Sequence, residues 1–241
     1  DFLMIPFFGK SRSRIFLVNI EGLSVYKLVN GKLILFAKFS DEDTGYENFR
    51  NYLQDTPATP VTLLIDSIAE DFLVEKVPHV GPLDRKGFLQ RKTEQHFRGI
   101  DYRSARILGR ESAGRKDDKV LFSAITKNLS VDNWVRILLA VEIPVESITT
   151  PAYALCKIAE EHKLQTSEKI LLVNWEASGI RHTFIVNNRM MFSRLTSLPQ
   201  EDEDNLALEI IQSCNQSNDY LEGVGLICFD DSMDVHVITP F

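Results

Sequence analysis

The sequence predicts an α/β fold made of two copies of one unit: three strands, a helix and a fourth strand. Residues 170–198, ILLVNWEASGIRHTFIVNNRMMFSRLTSL, read as three short strands folding back on one another. Residues 14–39, RIFLVNIEGLSVYKLVNGKLILFAKF, open the chain with a similar meander. Each meander is followed by an amphipathic helical stretch and then a short apolar run, the mark of a buried parallel strand.

In chain order, residues 15–20, 23–29 and 32–39 form the first meander. Asn30 and Gly31 mark its second turn, because both tolerate the positive φ of a tight hairpin. Residues 41–54 supply a helix with Asp41 and Asp43 at its positive end and Phe49, Tyr52 and Leu53 on one face. The apolar run 61–65 completes the first unit. Residues 72–80 then read as a strand and 82–97 as a helix. Leu83, Phe88, Leu89 and Lys92 lie near one face of that helix, with Arg85, Lys86 and Arg91 displaced from it. Strands at 102–110 and 120–126 flank a polar loop, 111–118. The helix 132–141 carries Trp134, Ile137, Leu138 and Val141; a strand at 145–148 and a helix at 152–162 lead into the second meander. A long helix, 202–221, and strands at 223–229 and 235–238 end the chain.

The repeated unit occupies 14–66 and 168–239 and is that of the ribonuclease-H-like fold. Two such halves around a cleft make the actin-like arrangement. The expected organisation is a tail at 1–13, a first half at 14–66, an inserted lobe with its connecting helix at 67–150, and a second half at 151–241.

Composition narrows the function. Of 241 residues, 44% are hydrophobic and 25% charged, ordinary for a globular protein. A net charge of -7 argues against nucleic-acid binding, which calls for a basic surface. The average hides a concentration: 11 of the 27 Lys and Arg residues fall between Arg85 and Lys119. Cys156, Cys214 and Cys228 have no paired spacing and sit in apolar helix or strand patterns, the setting of reduced, buried thiols. No apolar run approaches the ~18 residues that cross a bilayer. The apolar opening Phe2–Phe8 precedes its basic residues, the reverse of a signal peptide.

Catalytic and metal signatures are missing. The five histidines are scattered without an i, i+4 pair, so no zinc site is expected. His182 alternates with apolar neighbours and reads as a surface or satisfied interior residue. Asp230, Asp231 and Asp234 lack the glycine and spacing of a calcium loop and read as a solvated turn. Neither a nucleophile elbow nor a P-loop occurs. No catalytic residue, metal or cofactor is expected.

Several motifs in order resemble one family. Val173-Asn174-Trp175-Glu176, Thr183, Asn188-Arg189 and Met191-Phe192-Ser193-Arg194 stand where a strand, an acidic-glycine turn, a second turn and Leu-Phe-Ser-Arg are expected. Upstream, Val120–Ala124 and Asn133-Trp134 match the approach to that meander, and the run from Val235 to Phe241 matches a closing Val-x-x-x-x-Pro-Phe. So ordered, the chain resembles the cytoplasmic actin-like proteins of bacterial type IV pilus and type II secretion machines: PilM, MshI and the cytoplasmic part of GspL. The resemblance implies a partner among inner-membrane pilus or secretion platform proteins, a motor ATPase as a further partner, and a place on the cytoplasmic side of the inner membrane.

PilM-like proteins bind ATP through two phosphate hairpins, and the departures here bear on that property. Asn174 stands for a metal-holding Asp. Glu176 puts a carboxylate where a glycine lets the backbone approach phosphate, with Ser178 nearby; Asn19 and Glu21 repeat the change in the first hairpin. Lost nucleotide binding, as in GspL, is therefore expected, and the alternative is a PilM-type nucleotide switch. The partner-binding candidates are the cations Arg85, Lys86, Arg91, Lys92, Arg103 and Arg106, for an acidic patch on a partner or the anionic lipid of the inner membrane surface, set against a solvated charged face interleaved with Asp84, Glu94, Asp101 and Glu111.

Overall fold

The computed structural model describes residues 14–29, 32–112, 114–126, 129–164, 167–176, 178–197 and 206–238. The expected tail 1–13 and the Asn30-Gly31 turn lie outside them. The described residues divide into two compact units. The first takes in the residues up to Glu70 with His79–Arg106 and Phe122–Pro151; the second takes in Asp71–Pro78, Ile107–Leu121 and the residues from Ala152.

The first unit is built on β1 (Arg14–Asn19), β2 (Gly22–Val29) and β3 (Lys32–Phe39), followed by α1 (Asp43–Gln54) and β4 (Val61–Ile65). β1 pairs antiparallel with β2 and parallel with β4, with Phe16 opposite both Val25 and Leu63. Later in the chain, α3 (Leu129–Ala140) and β8 (Val145–Thr149) return to this sheet, giving the order β3-β2-β1-β4-β8. Alternation along β1 and β4 sends Phe16, Val18, Val61, Leu63 and Ile65 to a single buried face. α1 and α3 cover it through Phe49 and Trp134, both 0% exposed and packed edge to face with ring centroids 5.3 Å apart. Phe16 meets Phe49 in the same manner at 5.7 Å.

Asp41 lies outside the first turn of α1, and its carboxylate does not cap the helix. Its Oδ1 accepts hydrogen bonds from the Tyr46 hydroxyl and from Ser130 Oγ at 2.9 Å. Asn133 Nδ2 donates in turn to Tyr46 Oη at 3.1 Å. Hydrogen bonds accepted by one carboxylate thus fix the starts of α1 and α3 together.

Between β4 and α3 the chain forms β5 (Glu70–Val77), α2 (Pro82–His96), β6 (Arg103–Arg110) and β7 (Asp118–Ile125). The three strands make their own sheet in the order β5-β7-β6.

The second unit repeats the first. α4 (Pro151–Glu161) leads into β9 (Lys169–Glu176), β10 (Gly179–Val186) and β11 (Arg189–Thr196), then α5 (Leu206–Gly223) and β12 (Asp234–Ile238). The order is β11-β10-β9-β12, with β12 parallel to β9. Leu171, Val173, Ile180 and Phe184 face α5, while Ile170, Leu172 and Ile185 pack on Leu155 and Ala159 of α4. The β10–β11 turn places Asn187 and Asn188 at φ 50 and 59, the paired left-handed conformation of a type I′ hairpin.

One expected strand is absent. Residues 223–229 cap α5 instead of extending. The N–H of Val224 donates to Tyr220 O and that of Leu226 to Leu221 O, with Gly225 left-handed at φ 70. These bonds satisfy the last carbonyls of the helix, a demand that outweighs the β propensity of Val224, Leu226 and Ile227. Cys228 accordingly lies exposed in a turn rather than buried in a strand; Cys156 and Cys214 are half-buried.

The same glycine device shapes both meanders. Gly22 and Gly179 each open the second strand at positive φ, 118 and 138. A Cβ at either would sit 2.1 Å from a third-strand carbonyl, that of Phe39 or Thr196. Replacing either with Ala should cost about 2 kcal/mol or more. Urea unfolding of Gly22→Ala and Gly179→Ala measures it, and wild-type stability in both would contradict the assignment.

Candidate functional site

In open α/β sheets, ligands gather beyond the carboxyl ends of parallel strands. In the first unit those ends carry Asn19 on β1, Asp66 after β4, Thr149 as the last residue of β8 and Thr150 just after it. Asp66 is 4% exposed, and its N–H donates to Val18 O at 2.8 Å. Thr149 and Thr150 are each 7% exposed. Asp66, Thr149 and Thr150 were not singled out from the sequence. The only available signal was polarity at the end of an apolar run, which many loops share.

The β1–β2 turn consists of Ile20 and Glu21, with Asn19 opposite Gly22. Asn19 Oδ1 accepts the Glu21 N–H at 3.0 Å, so the turn's own side chain uses a backbone donor that a phosphate hairpin would direct at its ligand. Glu21 is exposed and pairs with Lys38 at 3.3 Å. A solvated ion pair of this kind contributes little to stability.

The β9–β10 hairpin differs in register. Glu176 lies opposite Gly179. Counted from the two equivalent glycines, Asn19 matches Glu176 and Glu21 matches Ser178. Asn174 lies within the ladder opposite Arg181, two residues before the end of β9. Ser178 is buried at 4% exposure, and Arg181 is completely enclosed at 0%. Arg181 Nη1 donates to Ser193 Oγ at 3.4 Å, and Ser193 Oγ is 3.3 Å from Thr183 Oγ1. Asn174, Ser178 and Arg181 make further polar interactions. The second hairpin therefore carries a fixed internal cation in a polar cluster on the sheet face opposite α5. Sequence reading missed Arg181 because an arginine in an alternating strand ordinarily points to water.

His182 is an interior residue on the α5 face, with Nε2 partnered and Nδ1 buried without a hydrogen-bond partner. Ser213 Oγ donates to Ile210 O at 2.9 Å and accepts from His182 Nε2 at 3.0 Å, which fixes the Nε2–H tautomer. Burial, with a contribution from Arg194, lowers its pKa to about 4. The ring is neutral at pH 7 and is no candidate base.

The basic segment is spread over α2 and β6. Four of its cations ride on α2, where Arg85 shares a side with Lys92, contrary to the expectation that set it apart, while Lys86 and Arg91 point elsewhere at 100° per residue. Lys86 and Arg91 are exposed. Arg85 Nε donates to Val80 O at 3.4 Å. Arg103 is committed to the α2–β6 connection: it pairs with Glu94 and donates to the Ile100 carbonyl and to Phe97 O at 3.4 Å. Arg106, on the exposed side of β6, and Lys92 also have polar partners. Among the described residues no cluster of three or more His, Cys, Asp or Glu side chains could hold a metal ion. No helix among them is long and apolar enough to cross a membrane.

The two βββαβ units define an actin-like fold, and the solved structures that resemble this chain carry it. One is the PilM–PilN type IV pilus biogenesis complex, with a TM-score of 0.65 and 11% identity, covering 96% of this chain and 82% of that one. A Bacteroides thetaiotaomicron protein with an actin-like ATPase fold and unknown function matches at TM-score 0.51 and 10% identity, covering 98% and 86%. The cytoplasmic domain of EpsL, an inner membrane component of the type II secretion system of Vibrio cholerae, matches at 0.50 and 11%, covering 95% and 82%. No protein-family model and no curated protein matches the sequence.

Two outcomes follow from the side-chain environments. His182 binds its proton less readily folded than unfolded, so its stabilising effect is complete above pH 6.5. The effect is lost as the pH falls from 6.5 towards 4, by about 3 kcal/mol at most. Urea unfolding at pH 7 and 4.5 should show a smaller pH difference in His182→Gln than in the wild type. Arg103→Ala should lose about 1–2 kcal/mol, because the carbonyls of Phe97 and Ile100 lose a charged donor. A thermal melt checks this, with Arg91→Ala expected to leave stability unchanged.

Proposed function

We propose that this protein is a non-catalytic component of a type IV pilus or type II secretion-like assembly. It stands on the cytoplasmic side of the inner membrane and works by holding other proteins, a segment of an inner-membrane platform protein and a motor ATPase. The observation that carries the reading is the pairing of an actin-like fold with a first hairpin unsuited to phosphate. There Asn19 uses the Glu21 N–H, and the Glu21 carboxylate faces solvent where a phosphate would approach. A carboxylate there repels a phosphate, an effect that solvent and the Lys38 ion pair weaken. The likeness to the PilM–PilN complex and to the EpsL cytoplasmic domain, at 11% identity each, supports the choice of machine.

The alternative is a nucleotide-binding switch of the PilM type. It draws support from Asp66, Thr149 and Thr150, a buried polar set at the carboxyl ends of β4 and β8. Calorimetry with Mg-ATP separates the two. No heat of binding at millimolar nucleotide is expected, and a micromolar dissociation constant would establish the switch.

The cations on α2 supply a docking surface for an acidic segment. Lys86→Glu with Arg91→Glu should preserve the thermal melt and weaken capture of the platform protein from envelope extracts about tenfold. The loss should shrink in high salt, since contacts at an interface rim are screened. Unchanged capture would move the docking site elsewhere.

A further inference from the structure

The two units treat their last parallel strand differently. In the first, β4 lies between β1 and β8, and its register with β8 sets Leu63 opposite Ile148. Val61, Leu63 and Ile65 are each 0% exposed, because β8 and α3 enclose what β1 leaves open. β12 occupies the same place in the second unit, with Val235 opposite Leu171 just as Leu63 is opposite Phe16. Yet Val235 is 47% and Val237 50% exposed, and among the described residues β12 has no sheet neighbour beyond β9. Both valines share the sheet face of Leu171 and Val173, which α5 covers only nearer the centre. An edge with unpaired backbone groups and half-exposed β-branched side chains suits an added strand.

We propose that the outer edge of β12 accepts an extended segment of a partner protein as a parallel strand. The segment has apolar side chains at alternate positions, to cover Val235 and Val237, and basic residues at its leading end. The first unit supplies the template, since β8 fills the equivalent place in parallel. Charge supplies the polarity. Asp230, Asp231 and Asp234 precede or open β12. Asp231 is held by Lys169, leaving the exposed Asp230 beside the start of an incoming parallel strand. The surface is independent of the α2 cations and of the choice between pilus and secretion machine.

The test uses the whole chain and a synthetic peptide, Lys-Lys-Val-Thr-Ile-Ser-Val, in which apolar residues alternate behind two lysines. Backbone hydrogen exchange of the β12 amides that do not donate to β9 is followed with and without it. The expected result is slow exchange only with peptide, by at least about tenfold. Protection should disappear in Val235→Lys with Val237→Lys and weaken in Asp230→Lys, which keeps the test valid if the double variant unfolds. A scrambled peptide with its apolar residues grouped together should protect poorly. The proposal is overturned by unchanged exchange in excess peptide or by equal protection from the scrambled sequence. It is also overturned by slow exchange in the protein alone, whether constant or rising with protein concentration, because the edge would then already be occupied.

Discussion

Everything in this fold hangs on the parallel pairing of a meander's first strand with the strand that follows its helix. β1 with β4, and β9 with β12, join as neighbours two strands that a hairpin and a helix separate along the chain. That crossover stacks α1 over Phe16 and α5 over Leu171. It also brings the polar ends of parallel strands together, so Asp66 meets the end of β1 through the carbonyl of Val18. Without that pairing, each meander would be a small antiparallel sheet with a bare apolar face.

The meanders, their helices and β4 were legible because period-2 alternation and near-continuous apolar runs survive in the sequence. Two features were hidden for different physical reasons. The return of β8 to the first sheet depends on a contact made after a long intervening segment, and VESIT carries no mark of its partner. Residues 223–229 have strand propensity, but the unsatisfied carbonyls of α5 and the left-handed Gly225 decide the local structure. Of the candidate site, the unusual composition of the hairpins was readable. Their register was not: Asn174 falls opposite Arg181 because the second hairpin runs on to Gly179.

The hairpins illustrate how a turn can keep its shape while its chemistry changes. Shape resides in Gly22 and Gly179, where a side chain would strike a neighbouring carbonyl. Chemistry resides in the adjacent side chains, which tolerate substitution because they face solvent or can be enclosed by polar neighbours. Asn19 closes its turn by a local hydrogen bond, whereas Arg181 brings a permanent cation inside the second sheet. The cation has Ser193 as one partner, and the polar cluster around it limits which substitutions the second hairpin can accept.

The late return of β8 has a consequence for biosynthesis. The first unit gathers segments as far along the chain as Pro151, so it cannot be complete when β4 leaves the ribosome. At ordinary translation speeds, β4 waits on the order of ten seconds for β8. During that wait an apolar strand, VTLLI, stands at the open edge of a nascent sheet. That interval is when a chaperone holding the growing chain would matter most, and when slowed elongation between residues 66 and 145 would lower the yield of folded protein.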